Sequence, residues 1–224
     1  YLYSAMADVA SETNDEELLE ALKRIWNRMR ERRMYITGGI GSSHHNEGFT
    51  FDYDLPNETA YAETCAAIGN MMWNFRMFKL TRESKYIDVM ERTLFNGFLA
   101  GLSLEGDKFS YLNPLAATGQ EHPLREFDKK WGKDRFHYQR RPWFKTACCP
   151  PNIARFLSRL GKYIYFKDED EIYVNNYVSN RTDFALGEAE LSIELETNYP
   201  WDGDVEINID LENPQDLGLK LRIP

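Results

Sequence analysis

Apolar residues recur at helical spacing through the first two-thirds of the chain and at alternating spacing through the last third. Leu18, Leu22, Ile25, Trp26 and Met29 form one stripe with a period near 3.6, which predicts a helix. Residues 1–10 read as the end of an earlier helix. Asn14, with Glu17 three positions on, reads as the capping pair that starts the next one. Ala67, Met71, Phe75 and Phe78 predict a helix from about Asn57–Thr59 to Leu80. Tyr86, Ile87, Met90, Leu94 and Phe98 predict another over about 84–100. Pro151 suits the first turn of a further helix, whose buried stripe is Ile153, Phe156, Leu157, Leu160 and Ile164.

Beyond Asp168 the period falls to two. Residues 171–174, 191–195, 205–209 and 219–221 alternate apolar with polar and predict antiparallel strands. The change sets the expected organisation: a helical part over 1–167 and a β part over 168–224. Two long irregular segments interrupt the helices. One begins at Gly38-Gly39-Ile40-Gly41 and runs through His44, His45 and Glu47 to Pro56; the other spans 102–145. Loops of that length inside compact domains tend to carry function.

Composition narrows the class. The chain has 224 residues, 42% hydrophobic, enough for a core of its own. A net charge of −9 argues against nucleic acid as partner, since that needs a basic face. No run of about 20 apolar residues predicts a membrane span. The first residues, Tyr1-Leu2-Tyr3-Ser4, lack an initiator Met and a leader-like pattern, so the chain reads as a fragment of a longer protein, with a cytoplasmic location as the expectation. Oligomeric state is not legible. The acidic balance, with 5 Trp and 13 Tyr, suits a neutral ligand such as a sugar.

The candidate chemistry lies in three cysteines, an odd number that argues against a disulfide framework. Cys148 and Cys149 are adjacent, and Cys65 follows Glu63 by two. Adjacent cysteines rarely bond to each other, but two neighbouring thiolates can grip one ion. Glu63, Cys65, Cys148 and Cys149 thus form a candidate soft-metal site. Three sulfurs and a carboxylate favour zinc over an iron–sulfur cluster, which normally takes four sulfurs. Glu63 and Cys65 do not share a face of a regular helix, so the pair needs a helix start or a distorted turn. Spacing alone leaves open a simpler reading, in which Cys65 is a buried small hydrophobe and the pair sits idle. Four protein ligands leave no room for an activated water. They do keep a thiolate ionised, and a thiolate is a nucleophile. Glu47, in the Gly-rich loop, is a candidate proton donor or a solvated loop carboxylate. His44 and His45 read as exposed loop residues, and His122 and His137 show no pattern.

Four segments occur in one order: Tyr35-Ile36-Thr37-Gly38-Gly39-Ile40-Gly41-Ser42-Ser43, Asn46-Glu47-Gly48-Phe49, Ala60-Tyr61-Ala62-Glu63-Thr64-Cys65-Ala66 and Thr146-Ala147-Cys148-Cys149-Pro150-Pro151-Asn152. Together they resemble the β-L-arabinofuranosidase family, glycoside hydrolase family 127 and its relatives. The resemblance covers nearly the whole chain, and the Cys-Cys-Pro-Pro-Asn segment is its most specific part. It implies a mainly α chain with a β part: a portion of an (α/α)6 barrel followed by the start of an antiparallel β-sandwich. About five helices are legible against the twelve such a barrel needs.

The resemblance also implies a retaining glycosidase that hydrolyses terminal β-L-arabinofuranosides. Zn2+ would be held by Glu63, Cys65, Cys148 and Cys149, with Cys148 as nucleophile and Glu47 as general acid/base. Tyr111, in Phe109-Ser110-Tyr111-Leu112-Asn113-Pro114-Leu115, would lie in the sugar pocket, and a small carbohydrate would be the substrate. Two other readings stand beside this one. The site could be a non-catalytic zinc staple in a carbohydrate-binding or interaction domain. A sugar epimerase or isomerase on a related helical barrel would not need paired cysteines.

Overall fold

The structure is a computed structural model. It describes residues 1–119, 121–169, 171–186, 189–214 and 216–224. Two compact units are present, Tyr1–Leu157 and Ser158–Pro224. Between this division and the boundary expected at 167 lie a 3-10 turn, Leu160–Tyr163, and the first residues of a strand.

In the first unit, α1 (Leu2–Thr13) leads into α2 (Glu16–Arg32). The capping expectation is corrected by one residue. Asn14 closes α1 in the left-handed region, with φ 52°, and Asp15 caps α2 by accepting from the Leu18 amide at 2.9 Å. Asn tolerates that conformation, whereas Asp is a strong N-cap. Acids in the first turn of α2 and arginines in its last complement the helix dipole. Its stripe buries Leu22, Trp26 and Met29, as the spacing predicts.

The next helix, α3 (Thr64–Thr81), starts later than expected. Residues 60–63 are instead extended, with Glu63 bridged to Leu112. Two of its buried asparagines join the loop to the core. Trp26 donates to Asn74 at 2.7 Å, Asn74 donates to the Asn70 carbonyl at 2.9 Å, and Asn70 donates to the Gly38 carbonyl at 3.3 Å. Buried polar groups this fully paired hold a single arrangement.

The helix expected over 84–100 is split into α4 (Lys85–Arg92), a π-helical turn at Thr93–Phe98 and a 3-10 turn at Leu99–Gly101. The Thr93 hydroxyl turns back to the Val89 carbonyl at 2.7 Å, which competes with regular helical pairing. A further helix, α5 (Arg125–Lys130), lies inside the segment expected to be irregular, and α6 (Cys149–Leu157) carries Pro151 in its first turn.

Gly38 allows the loop to reach α3 and the π turn. Its φ is 83°, and a Cβ there would lie 2.7 Å from Thr93 Cα. Gly106 has a similar φ of 73° but faces open space. Gly38→Ala should therefore lower the unfolding free energy of the full-length protein by about 2–4 kcal/mol, against about 1 for Gly106→Ala. Chemical denaturation of both variants measures the difference, and equal losses would refute the role given to the close approach.

Among its described residues the second unit holds six strands: β1 (Tyr165–Asp168), β2 (Glu171–Val174), β3 (Asn180–Leu186), β4 (Ala189–Thr197), β5 (Val205–Leu211) and β6 (Gly218–Leu221). They form two three-stranded sheets, β1-β2-β6 and β3-β4-β5. Of the strands expected from the sequence, β4 and β5 pair antiparallel as expected, whereas β2 and β6 run parallel; β1 pairs antiparallel with β2, and β3 with β4. Leu191, Ile193 and Leu195 alternate inward along β4 and join Ile172 and Val174 in one hydrophobic cluster. Strands β1 and β3 were not legible as alternating runs. Among the described residues no helix is long and apolar enough to cross a membrane.

Candidate active site and metal centre

The first unit contains a cavity of about 670 Å³ lined by residues that include Glu47, Glu63, Cys65, Tyr111 and Cys148. Its walls come from segments distant in sequence, and backbone pairing joins two of them, around Glu63 and Tyr111. The Thr64 amide donates to the Tyr111 carbonyl at 3.0 Å, and the Asn113 amide to the Ala62 carbonyl at 3.2 Å. The Asn113 side chain also donates to Ala62 O at 3.0 Å and to Thr64 Oγ1 at 3.1 Å. These contacts hold Ala62 at φ 35°, a conformation a non-glycine residue adopts only under constraint. The kink ends the extended segment at Glu63, the N-cap position of α3. Glu63 and Cys65 thus sit at a helix start, the geometry their spacing demanded.

Cys148 precedes α6 and Cys149 opens it. One ligand atom from each of Glu63, Cys65, Cys148 and Cys149 lies within 4.8 Å of the others, so the group could hold a metal ion. Cys148 Sγ is 3.8 Å from Cys149 Sγ and 3.3 Å from Glu63 Oε1; Cys65 Sγ is 3.7 Å from Cys149 Sγ. All three cysteines are free thiols; Cys65 and Cys149 are buried and Cys148 is exposed. Tyr111 lies against the group, its hydroxyl 3.1 Å from Cys148 Sγ.

Crowding sets the charge. Hydrogen bonds, first with Cys149 and then with Cys65, pull the Cys148 thiol far below its ordinary range. Cys149 is pushed up by its contact with Cys148, and Cys65 is raised to about 12, chiefly by the same neighbour. Burial, and then Cys148, raises Glu63 to about 8. Four anionic donors this close repel one another when all are ionised, and a divalent cation among them offsets that cost.

Glu47 lies at φ 52° in its loop, half exposed. The structure adds partners that sequence reasoning missed. Arg135 Nη1 donates to Glu47 Oε1 at 2.5 Å and to the Tyr61 hydroxyl at 2.7 Å. Its other nitrogens, Nη2 and Nε, donate to Asp128 Oδ1 at 2.8 and 3.2 Å, and its amide donates to Oδ2 at 2.6 Å. Lys133 Nζ is 3.8 Å from the same Glu47 oxygen. The only sequence signal was an Asp and an Arg seven apart around a glycine turn, too common to single out. His44 and His45 stack on each other, with Phe127 against both. His122 is buried, and burial lowers it to about 4, so it is neutral. His137 pairs with Asp134 at 2.8 Å.

Residues 4–162 match the family profile of the β-L-arabinofuranosidase GH127 catalytic domain, and residues 171–224 match the GH127 middle domain. The chain belongs to the GH127 β-L-arabinofuranosidase family. Within it, a non-reducing end β-L-arabinofuranosidase from Bifidobacterium longum subsp. longum is 40% identical over 217 residues, 94% of this chain and 31% of that protein. The crystal structure of a GH127 β-L-arabinofuranosidase from Geobacillus stearothermophilus T6 matches with a TM-score of 0.91 and 44% identity, covering 100% of this chain and 34% of that one. A second GH127 structure, a β-arabinofuranosidase, gives 0.89 and 44%, with 100% and 32% covered. The chain therefore spans about a third of the length of these GH127 relatives.

Proposed function

We propose that this chain is the part of a retaining glycosidase that carries its nucleophile, its acid/base and its metal ligands, and that the whole protein hydrolyses terminal β-L-arabinofuranosides. One observation carries the reading. In a chain of the GH127 family, Glu47 lines one cavity with Glu63, Cys65 and Cys148, and buried Cys149 completes the quartet behind them. The activity printed for the relatives supports the substrate class, a small carbohydrate. The helical unit is read as a portion of an (α/α)6 barrel, and the strands as the start of a β-sandwich.

The donor set fits Zn2+. Zinc–sulfur bonds of about 2.3 Å at tetrahedral angles set sulfurs about 3.8 Å apart, and two of the pairs here stand at 3.7 and 3.8 Å. Glu63, Cys65, Cys148 and Cys149 would hold the ion, whose contribution when bound is to keep the thiols ionised at neutral pH.

The reaction then follows from this chain's own residues. Cys148, the one exposed sulfur, attacks the anomeric carbon. The carbon–oxygen bond to the aglycone breaks, and the leaving oxygen takes a proton from Glu47 together with the bonding pair. A thioglycoside on Cys148 results. Water, deprotonated by Glu47, attacks the same carbon, and the carbon–sulfur pair returns to Cys148. Tyr111, 3.1 Å from the sulfur, orients it and borders the sugar.

The test is covalent trapping. The full-length protein treated with a reactive L-arabinofuranosyl analogue should gain the mass of one sugar on Cys148, and free L-arabinose should slow the labelling. An unlabelled Cys148, or labelling that L-arabinose does not affect, rejects the assignment and leaves the quartet as a structural staple.

A further inference from the structure

Arg135 is committed on every side. Its side chain is 5% exposed, and it faces two carboxylates, buried Asp128 and half-exposed Glu47. Asp128 is itself 1% exposed, so this pair would satisfy the charge of Arg135 without Glu47. The guanidinium nevertheless turns Nη1 outward to Glu47 and the Tyr61 hydroxyl. It also lies over the rings of Tyr61, at 5.5 Å, and Tyr111, at 5.8 Å. Tyr111 in turn touches the Cys148 sulfur. One rigid cation therefore contacts the proposed acid/base and the tyrosine beside the proposed nucleophile.

We propose that Arg135, anchored by Asp128, is the positioning residue of Glu47 and assigns its two oxygens different work. The inference rests on the acid/base reading of Glu47. A guanidinium carries only donors, so the oxygen it faces must accept. Arg135 and Lys133 both address Oε1. The acid form of Glu47 therefore carries its proton on Oε2, and Oε2 gives it to the leaving oxygen and later takes one from water. With Oε1 pinned by an immobile partner, Glu47 also keeps its orientation in a loop that is otherwise half exposed. The planar fork of arginine suits this double anchoring; a lysine, with one point charge, could not hold Asp128 and Glu47 together.

The test compares leaving groups in the full-length protein. Arg135→Ala would strand Asp128 as an unpaired buried charge, so two gentler changes are used: Arg135→Lys, and the neutral pair Asp128→Asn with Arg135→Gln. For alkyl or sugar aglycones that need protonation, each should lower kcat/KM about 100-fold, a typical general-acid contribution. For an aglycone that departs readily as an anion, the loss should stay below about tenfold. Zinc content and labelling of Cys148 should match the parent, with kinetics taken well below each variant's own thermal midpoint. Added to Glu47→Gln, the changes should cost almost nothing further, since both act on one proton transfer.

A uniform loss across all aglycones would make Arg135 merely structural and overturn the inference. An unchanged rate would overturn it as well. Glu47→Gln measured in parallel separates the two claims: if that variant shows no leaving-group dependence, the acid/base reading has failed. If it does and the Arg135 variants do not, only the positioning role has failed.

Discussion

On the proposed mechanism, Cys148→Ser should abolish turnover, by on the order of 10⁵-fold or more, while most of any zinc held by the quartet remains. A serine hydroxyl keeps the shape of the side chain but holds its proton far more tightly than a thiol. Its oxygen cannot act as the resting anion that the proposed mechanism takes from Cys148, whose thiol its neighbours pull well below the ordinary range. Glu63, Cys65 and Cys149 still offer three ligands, two of them buried. Metal analysis and steady-state kinetics on the same preparation check both halves of the prediction. The matched control is Cys149→Ser. Cys149 is fully buried and out of a sugar's reach, so its loss should reduce activity only in step with metal content. Full activity in Cys148→Ser would end the nucleophile assignment. Equal losses in both variants with zinc retained would recast Cys148 as a ligand alone.

Glu47→Gln should cost about 10³-fold on substrates with poor leaving groups, within the range of general acid–base catalysis. A glutamine carbonyl can still accept from Arg135, so the loop geometry persists and only the transferable proton is lost. Aryl aglycones that leave as anions should restore the first step, and the thioglycoside should then accumulate, because the base that activates water is also missing. A burst of released aglycone followed by slow turnover is the expected trace. Absence of any rescue, with zinc and fold intact, would remove Glu47 from proton transfer.

Much of this arrangement was legible before any coordinates. Helical periodicity located α2 through Leu22, Trp26 and Met29, because each of these residues contacts the core through its own local repeat. The spacing of Glu63 and Cys65 required a break in the helix, and the chain supplies one, since a two-residue step cannot share a face. Pro151 announced the start of α6 because proline tolerates only the first turn. These are constraints that a residue imposes on its own backbone or on a neighbour within one turn.

What tertiary structure alone decided are relations between segments far apart in sequence. The start of α3 was expected too early because the periodicity cannot register Ala62, bent to φ 35° by contacts from Asn113, 51 residues away. Strand β6 pairs parallel to β2, a direction no alternating pattern encodes. The Arg135–Glu47 contact spans 88 residues and joins two loops with no period at all. Local chemistry specifies which elements form and which side chains could act. Distances between those side chains depend on how the elements pack, and packing is settled by the sum of many long-range contacts.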